Sequence, residues 1–278
     1  MPLVPTRQIL DQAVAGKYGQ GAFNVIHLET AQALIAGAQH VQRPVILQIS
    51  ENCVKYHGSL RPIALASLAM ADEASVPVAL HLDHAEDERL VYEALDLGFG
   101  SVMYDGAKLP FAENVAATRR VVAAAAQVGA SVEAELGEIG GKDGAHAPGV
   151  RTDPDEAVQF VQSTGVDSLA VAVGSSHAML ERGAALDLEL ISTLQAALDV
   201  PLVLHGSSGV TDTMLVDGIR AGMRKINVST HLNGFFTRAV RGWLSENSMG
   251  VDSRKYMDAG RRAMSDETGR MLELFASA

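Results

Sequence analysis

Pro77-Val78-Ala79-Leu80-His81-Leu82-Asp83-His84 begins as an apolar run and ends in two histidines and a carboxylate. Such a run is the mark of a strand buried on both faces, as in a parallel sheet covered by helices. Ionisable groups at the end of a buried strand must reach a mouth where water, a metal or a substrate can satisfy them. The stretch therefore reads as a strand that delivers a site. The plainer reading makes His81 and His84 hydrogen-bonded core histidines beside a helix-capping Asp83, and the rest of the chain has to choose between the two.

Working outward, this strand (Val76–Asp83) is one of eight. The others are predicted at Gly21–Val25, Pro44–Ser50, Ser101–Asp105, Ser131–Leu136, Ser168–Gly174, Pro201–His205 and Lys225–Ser229. Segments with helical spacing, many of them alanine-rich, separate them at Leu28–Val41, Leu60–Ala74, Glu86–Leu97, Ala112–Val128, Asp155–Ser163, Leu188–Leu198 and Met214–Ala221. A short N-terminal helix is predicted over Thr6–Ala15 and a C-terminal helical extension over Asp252–Phe275. Eight alternations in 278 residues fit an α/β fold, a closed (β/α)8 TIM barrel, better than an open doubly wound sheet. No linker or shift in composition divides the chain, so residues 1–278 are expected to form a single domain. Gly137–Asp153, with five glycines and no periodicity, reads as a mobile loop.

Composition narrows the chemistry. With 47% apolar and 20% charged residues, the chain has the balance of a soluble globular protein. A net charge of −11 repels nucleic acid and anionic membrane, so neither is expected as a partner, and a phosphorylated substrate would need a local site. Cys53 is the only cysteine, which excludes an intrachain disulfide and a thiolate metal cluster. A metal would have to use histidine and carboxylate. The first residues lack the features of a signal peptide and no apolar run is long enough to span a bilayer, so a cytoplasmic location is expected.

In a TIM barrel the reactive groups come from the C-terminal strand ends. Polar residues gather there in this chain: Asn24 on the first strand, Gln48 and Ser50 on the second, His81, Asp83 and His84 on the third, and Asp105 on the fourth. Glu133 and Glu135 lie on the fifth, His177 follows the sixth, His205 ends the seventh, and Asn227, Ser229 and Thr230 close the eighth. His84, His177 and His205 put a histidine on three different strand ends. Three neutral imidazoles with one open position make a catalytic zinc site. His27 and His231 are weaker candidates for substrate contact, His40 and His57 read as surface or loop residues, and His146 sits in the glycine loop. His81 either orients a ligand or makes a plain core hydrogen bond. The turns Gly206-Ser207-Ser208-Gly209 and Asn227-Val228-Ser229-Thr230 can hold phosphate with backbone N–H, hydroxyl and amide groups, which suits an acidic protein.

In order, these pieces resemble the class II, metal-dependent fructose/tagatose-bisphosphate aldolase family. The likeness runs from Ala22-Phe23-Asn24-Val25 through Pro44–Ser50, His81–His84, Ser101–Gly106, Val132–Gly137, His177, Leu204–Gly209 and Lys225–Thr230. The resemblance implies one catalytic Zn2+ per subunit on His84, His177 and His205, with Asp83 exchanging the proton of the hydroxyl at the scissile carbon. It implies a second carboxylate in the loop after the fifth strand, where this chain offers Asp143, and an alternative metal position at Asp105 and Glu135. It further implies substrate and phosphate contacts at Asn24, Ser50, Ala178, Gly206, Ser207, Ser208, Asn227, Ser229 and Thr230. A sugar phosphate as substrate, a homo-oligomer (dimer or tetramer) and a monovalent cation are further expectations from the resemblance. Four positions depart from the family pattern: Asp143 stands for glutamate, Ala178 for glycine, Arg182 near the usual lysine and Ser229 for aspartate. The implied reaction is reversible cleavage of a ketose 1,6-bisphosphate, or a related keto-phosphate, into dihydroxyacetone phosphate and an aldehyde. Two alternatives are a zinc hydrolase on the same barrel and a non-catalytic sugar-phosphate-binding protein.

Overall fold

The side chains of Val78–Ala85 (β3) sort by parity, because successive residues of a strand face opposite sides of the sheet. Val78, Leu80 and Leu82 join the apolar shell beneath the helices, while Ala79 belongs to a separate small cluster with Ile9, Leu10, Ala22 and Ile46. Each large outer residue contributes roughly 1.5–3 kcal/mol by burial, which fixes the register of the strand. The intervening positions, Ala79, His81 and Asp83, face the other side and are also buried.

The structure, a computed structural model, describes residues 2–137, 150–176 and 182–278. The other strands are β1 (Gln20–Asn24), β2 (Val45–Ser50), β4 (Ser101–Tyr104), β5 (Ser131–Leu136), β6 (Ser168–Val171), β7 (Leu202–Leu204) and β8 (Met223–Val228). All eight pair in parallel in chain order, and β8 closes on β1. Helix α1 (Thr6–Gly16) precedes β1, α2 (Leu28–His40) follows it, and α3 (Glu51–His57) and α4 (Arg61–Glu73) follow β2. Then come α5 (Glu88–Asp96), α6 (Phe111–Val128), α7 (Pro154–Thr164), α8 (Leu188–Ala197), α9 (Asp212–Ala221), α10 (Thr230–Glu246) and α11 (Ser253–Ala276). This is an α/β TIM barrel with an N-terminal helix and C-terminal helices, the predicted architecture. Among the described residues no helix is long and apolar enough to cross a membrane.

Both ends of the chain brace the barrel. Val4 N donates to Val78 O at 2.9 Å and Val78 N to Pro2 O at 2.7 Å, and Ile9 and Leu10 of α1 pack onto Ala22, Ile46 and Ala79. Helix α11 packs on α2 and α10, with Met264, Met271, Leu272 and Phe275 buried. A side chain at Gly37 of α2 would collide with the backbone oxygen of Ser265, so glycine allows the close approach of α2 to α11.

One expectation needs correction. Polar groups do not keep to the C-terminal strand ends: Gln20 opens β1, Ser101 opens β4, Ser168 opens β6 and Lys225 lies early in β8, all of them buried. They are satisfied locally, for example by Gln20 Nε2 donating to Pro44 O at 3.0 Å and Ser101 Oγ to Thr6 Oγ1 at 2.6 Å. The strands are thus apolar toward the helices and substantially polar toward the barrel axis. Helices α3 and α10 were not in the sequence reading.

Candidate active site

Asp83 and His84 are neighbours in sequence, and simple alternation would send their side chains to opposite faces. The backbone of His84 prevents this. Its φ is +50°, in the left-handed region, and the pairing of β3 with β4 shifts register between Leu82 and Ala85. For a residue with a Cβ this conformation costs roughly 1–2 kcal/mol, and such strain collects at functional sites. It turns the His84 ring back toward β7, where its centroid lies 4.5 Å from that of His205. Asp83 is held from the other side. Asn24 Nδ2 donates to Asp83 Oδ2 at 2.9 Å, and Gln48 Nε2 donates to Asn24 Oδ1 at 3.3 Å. The other oxygen, Asp83 Oδ1, is buried with no hydrogen-bond partner among the described residues, and lies 3.9 Å from His84 Nε2.

Two donor sets share His84. One atom each from Asp83, His84 and His205 lie within 4.8 Å of one another, and so do atoms of His84, Asp105 and Glu135. Each histidine also has one ring nitrogen against a carboxylate. His84 Nδ1 is 2.8 Å from Asp105 Oδ2, and His205 Nε2 is 3.0 Å from Glu133 Oε1. A carboxylate on one nitrogen fixes the tautomer and leaves the other as the ligand, the usual arrangement around a metal-binding imidazole. His84 Nε2 then faces Asp83, and His205 Nδ1 lies 3.4 Å from Glu135 Oε2.

The charge balance also fits a cation. Asp83, Asp105, Glu133 and Glu135 are all buried, and the only buried lysine among the described residues is Lys225. Lys225 Nζ donates to Glu133 Oε2 at 2.8 Å and lies 3.4 Å from His81 Nε2. Burial alone would raise the pKa of Glu133, but Lys225 and the hydrogen bond from His205 hold it well below the usual carboxylate range. Burial would likewise raise Asp83, yet the charges of His84, His205 and Lys225 bring it down to about 2. Burial works against a charged His205, but Glu133 and Glu135 outweigh it and raise its pKa to about 9, so without a metal it holds a proton on each ring nitrogen, and a metal ligated at Nδ1 would displace one of them. His81 is pushed down to about 3 by burial and by Lys225, and its Nδ1 sits 2.7 Å from Ser101 Oγ. It is therefore neutral. An imidazole pair with surplus negative charge around it is a donor set that suits zinc.

The turns after β7 and β8 meet at the same mouth. Gly206 has φ +67° and a Cβ there would lie 2.5 Å from Ser176 O, after which Ser207–Gly209 forms one turn of 3₁₀ helix. Ser207 Oγ donates to Leu204 O at 3.1 Å, and Ser208 Oγ accepts from His231 N at 3.2 Å. Both amide atoms of Asn227 are buried without a hydrogen-bond partner among the described residues. Ser229 caps α10 by position, without a side-chain cap bond, and Thr230 is its first residue. Ser50 Oγ accepts from Cys53 N at 3.2 Å and so caps α3. His177, Ala178 and Asp143 lie outside the described residues. Arg182, near the position of the family's usual lysine, donates to Val210 O at 2.7 Å and to Asp212 Oδ1 at 2.6 Å.

The sequence reading gave no role to Lys225 and only a place on β5 to Glu133. A strand Lys with no visible partner reads as solvent-facing, and its partner is 92 residues away. Parity with Asn227 on β8, and of Glu133 with Glu135 on β5, was the available signal.

The chain is similar to known proteins over nearly its whole length. The family described as fructose-bisphosphate aldolase class-II matches residues 4–278. Among similar solved structures, the YdjI aldolase of Escherichia coli K12 is 30% identical, with a TM-score of 0.85, covering 98% of this chain and 97% of that one. A provisionally assigned fructose-1,6-bisphosphate aldolase of Coccidioides immitis is 30% identical, with a TM-score of 0.86 over 98% of this chain and 96% of that one. The fructose-bisphosphate aldolase of Campylobacter jejuni shares the fold at 23% identity, with a TM-score of 0.81 over 98% and 95% of the two chains.

Proposed function

The chain belongs to the class II fructose-bisphosphate aldolase family, metal-dependent aldehyde-lyases, and from that premise we propose a specific reaction for it. It cleaves, reversibly, a ketose 1,6-bisphosphate of the fructose or tagatose type, or a related keto-phosphate, into dihydroxyacetone phosphate and an aldehyde. His84 and His205, joined by His177, would hold one zinc ion. Zinc, when bound, supplies the Lewis acidity that stabilises negative charge building on the ketone oxygen as the carbon–carbon bond breaks. The alternative position at His84, Asp105 and Glu135 is a second place for the same ion.

The protein's own groups supply the rest. Asp83 takes the proton of the hydroxyl at C4 during cleavage and returns it during condensation. Asn24 fixes the carboxylate by binding Oδ2, which leaves Oδ1 for the substrate. Asp83 is ionised at neutral pH, beside the cationic groups that lower its pKa. Asp143 protonates the carbon left after cleavage. The Gly206–Gly209 turn, Asn227, Ser229 and Thr230 bind the phosphate of the dihydroxyacetone half through amide, hydroxyl and backbone N–H groups. Ala178 and Ser50 complete the contacts.

The observation that carries this reading is the left-handed turn at His84, which sets a carboxylate and an imidazole from adjacent residues into one site with His205. It is tested by offering fructose and tagatose 1,6-bisphosphates side by side to the zinc-loaded protein and measuring release of dihydroxyacetone phosphate. Release from one or both is expected, and the faster ketose gives the C4 preference. Folded, zinc-loaded protein that turns over neither would overturn the bisphosphate assignment.

A further inference from the structure

Helix α11 is anchored by its apolar face, through Met264, Met271, Leu272 and Phe275. It also carries Glu267 and Arg270, whose polar groups point away from that packing role into a line of alternating charges. Arg270 Nε and Nη2 donate to the two oxygens of Glu267 at 2.8 and 2.6 Å, and Nη1 donates to Asp212 Oδ2 at 2.7 Å. Asp212 Oδ1 accepts from Arg182 at 2.6 Å, and Glu267 Oε1 lies 2.6 Å from His231 Nε2. The line thus runs Arg182, Asp212, Arg270, Glu267, His231.

Its stations are placed with respect to the two turns. His231 directly follows Thr230, and its backbone N–H is bound by Ser208 of the other turn. Asp212 opens α9 just beyond Gly209, while Arg182 also binds Val210 O, and the N–H groups of Gly183 and Ala184 donate to Gly209 O at 2.9 and 3.0 Å. The segments after β6, β7 and β8 are therefore tied to one another and to α11 by side chains that lie one to three residues outside the turns. Glu267 is 6% exposed and the His231 side chain 14%, so this end of the line is shielded and its geometry stiff, while the arginines reach the surface. A forked guanidinium that binds two carboxylates in one plane fixes distance and angle together, which an ammonium does not.

We propose that Glu267 and Arg270 are positioning residues for phosphate binding, holding the Gly206–Gly209 and Asn227–Thr230 turns at one spacing through Asp212 and His231. This rests on the reading of those turns as the phosphate site. A phosphate held by backbone N–H groups from two separate turns needs them within a few tenths of an ångström of the right separation. A network that couples the turns without touching the ligand is expected to change affinity by roughly tenfold when broken.

The test uses full-length zinc-loaded protein and titrates inorganic phosphate calorimetrically into wild type, Arg270→Ala, Arg270→Lys, Glu267→Gln and Leu272→Ala, with zinc affinity measured in parallel. Leu272→Ala loosens the same helix through its apolar face. Phosphate affinity is expected to fall roughly tenfold in Arg270→Ala, less in Arg270→Lys, with zinc affinity within twofold of wild type and Leu272→Ala binding phosphate normally. With substrate, KM for the phosphorylated ketose rises while kcat changes little. Unchanged phosphate affinity in folded Arg270→Lys and Glu267→Gln would overturn the proposal, as would an equal loss in Leu272→Ala. Wild type that binds zinc but no phosphate would remove the site reading beneath it, and the proposal with it.

Discussion

Glu133 Oε1 lies 3.0 Å from His205 Nε2, and both residues are buried in the barrel axis. The same carboxylate takes a hydrogen bond from Lys225, so the orientation of one histidine depends on a lysine from the far side of the barrel. Carboxylates in this position commonly matter about 10–100-fold for metal affinity. Glu133→Gln combined with Lys225→Met keeps the shape of the pair without its charge, and zinc binding by chelator competition is expected to weaken within that range.

Lys225→Met alone removes the lysine charge paired with the buried Glu133 carboxylate and leaves His205 as its remaining hydrogen-bond partner. It is expected to destabilise the protein by about 3–5 kcal/mol, and the double variant to recover part of that loss. Urea denaturation of the two variants against wild type measures both.

His84 adopts its left-handed conformation at an energetic cost. In the presence of a chelator, His84→Gly is therefore expected to be about 1 kcal/mol more stable than His84→Ala, although both lose the imidazole. Thermal denaturation of the chelated variants decides it. Equal stability would mean that the backbone relaxes when the ring is removed.

Glycines with similar φ need not be equal. Gly58 has φ +74° with no atom near its missing Cβ, so Gly58→Ala is expected to cost only about 1 kcal/mol of backbone strain. At Gly206 the added carbon meets the backbone of Ser176, which cannot move aside, so Gly206→Ala is expected to cost more and to lower phosphate affinity. Paired denaturation and phosphate titration compare them.

Burial raises the pKa of Glu267, but Arg270 and His231 outweigh it and bring the folded value down to about 2 from an ordinary 4.5. A depressed carboxylate stabilises the fold fully above its unfolded pKa, and that contribution disappears as pH falls through the window from 4.5 to about 2. The stability difference between wild type and Glu267→Gln is expected to shrink across that window, as followed by urea midpoints at successive pH values.

The barrel was legible because each strand keeps large apolar residues on its outer face, and the helices between them carry their own period. Boundaries slipped where the pattern changes its meaning. β3 continues to Ala85 because the bulge after Leu82 restores the pairing, which no alternation rule can anticipate. Asp83, His84 and His205 were readable as a group because ionisable residues at strand ends are costly without a purpose. Glu133 and Lys225 were not, since each makes sense only beside the other. Arg182 stands near the family's usual lysine, but its partners are Val210 O and Asp212 at the start of α9. A local sequence pattern carries charge but not the direction in which a long side chain turns.

In the proposed reaction the cluster at the end of β3 divides its labour, with His84 holding the metal and Asp83 moving the proton. The direct measurement is zinc stoichiometry together with release of dihydroxyacetone phosphate for wild type, His84→Ala and Asp83→Asn, each chelated and then resupplied with zinc. Asp83→Asn is expected to bind one zinc per chain yet turn over about 10²–10⁴-fold more slowly, the usual contribution of a positioned acid–base group. His84→Ala is expected to lose both zinc and turnover. Release at the wild-type rate by zinc-loaded Asp83→Asn, or release by any of the three that survives chelation, would contradict the assignment.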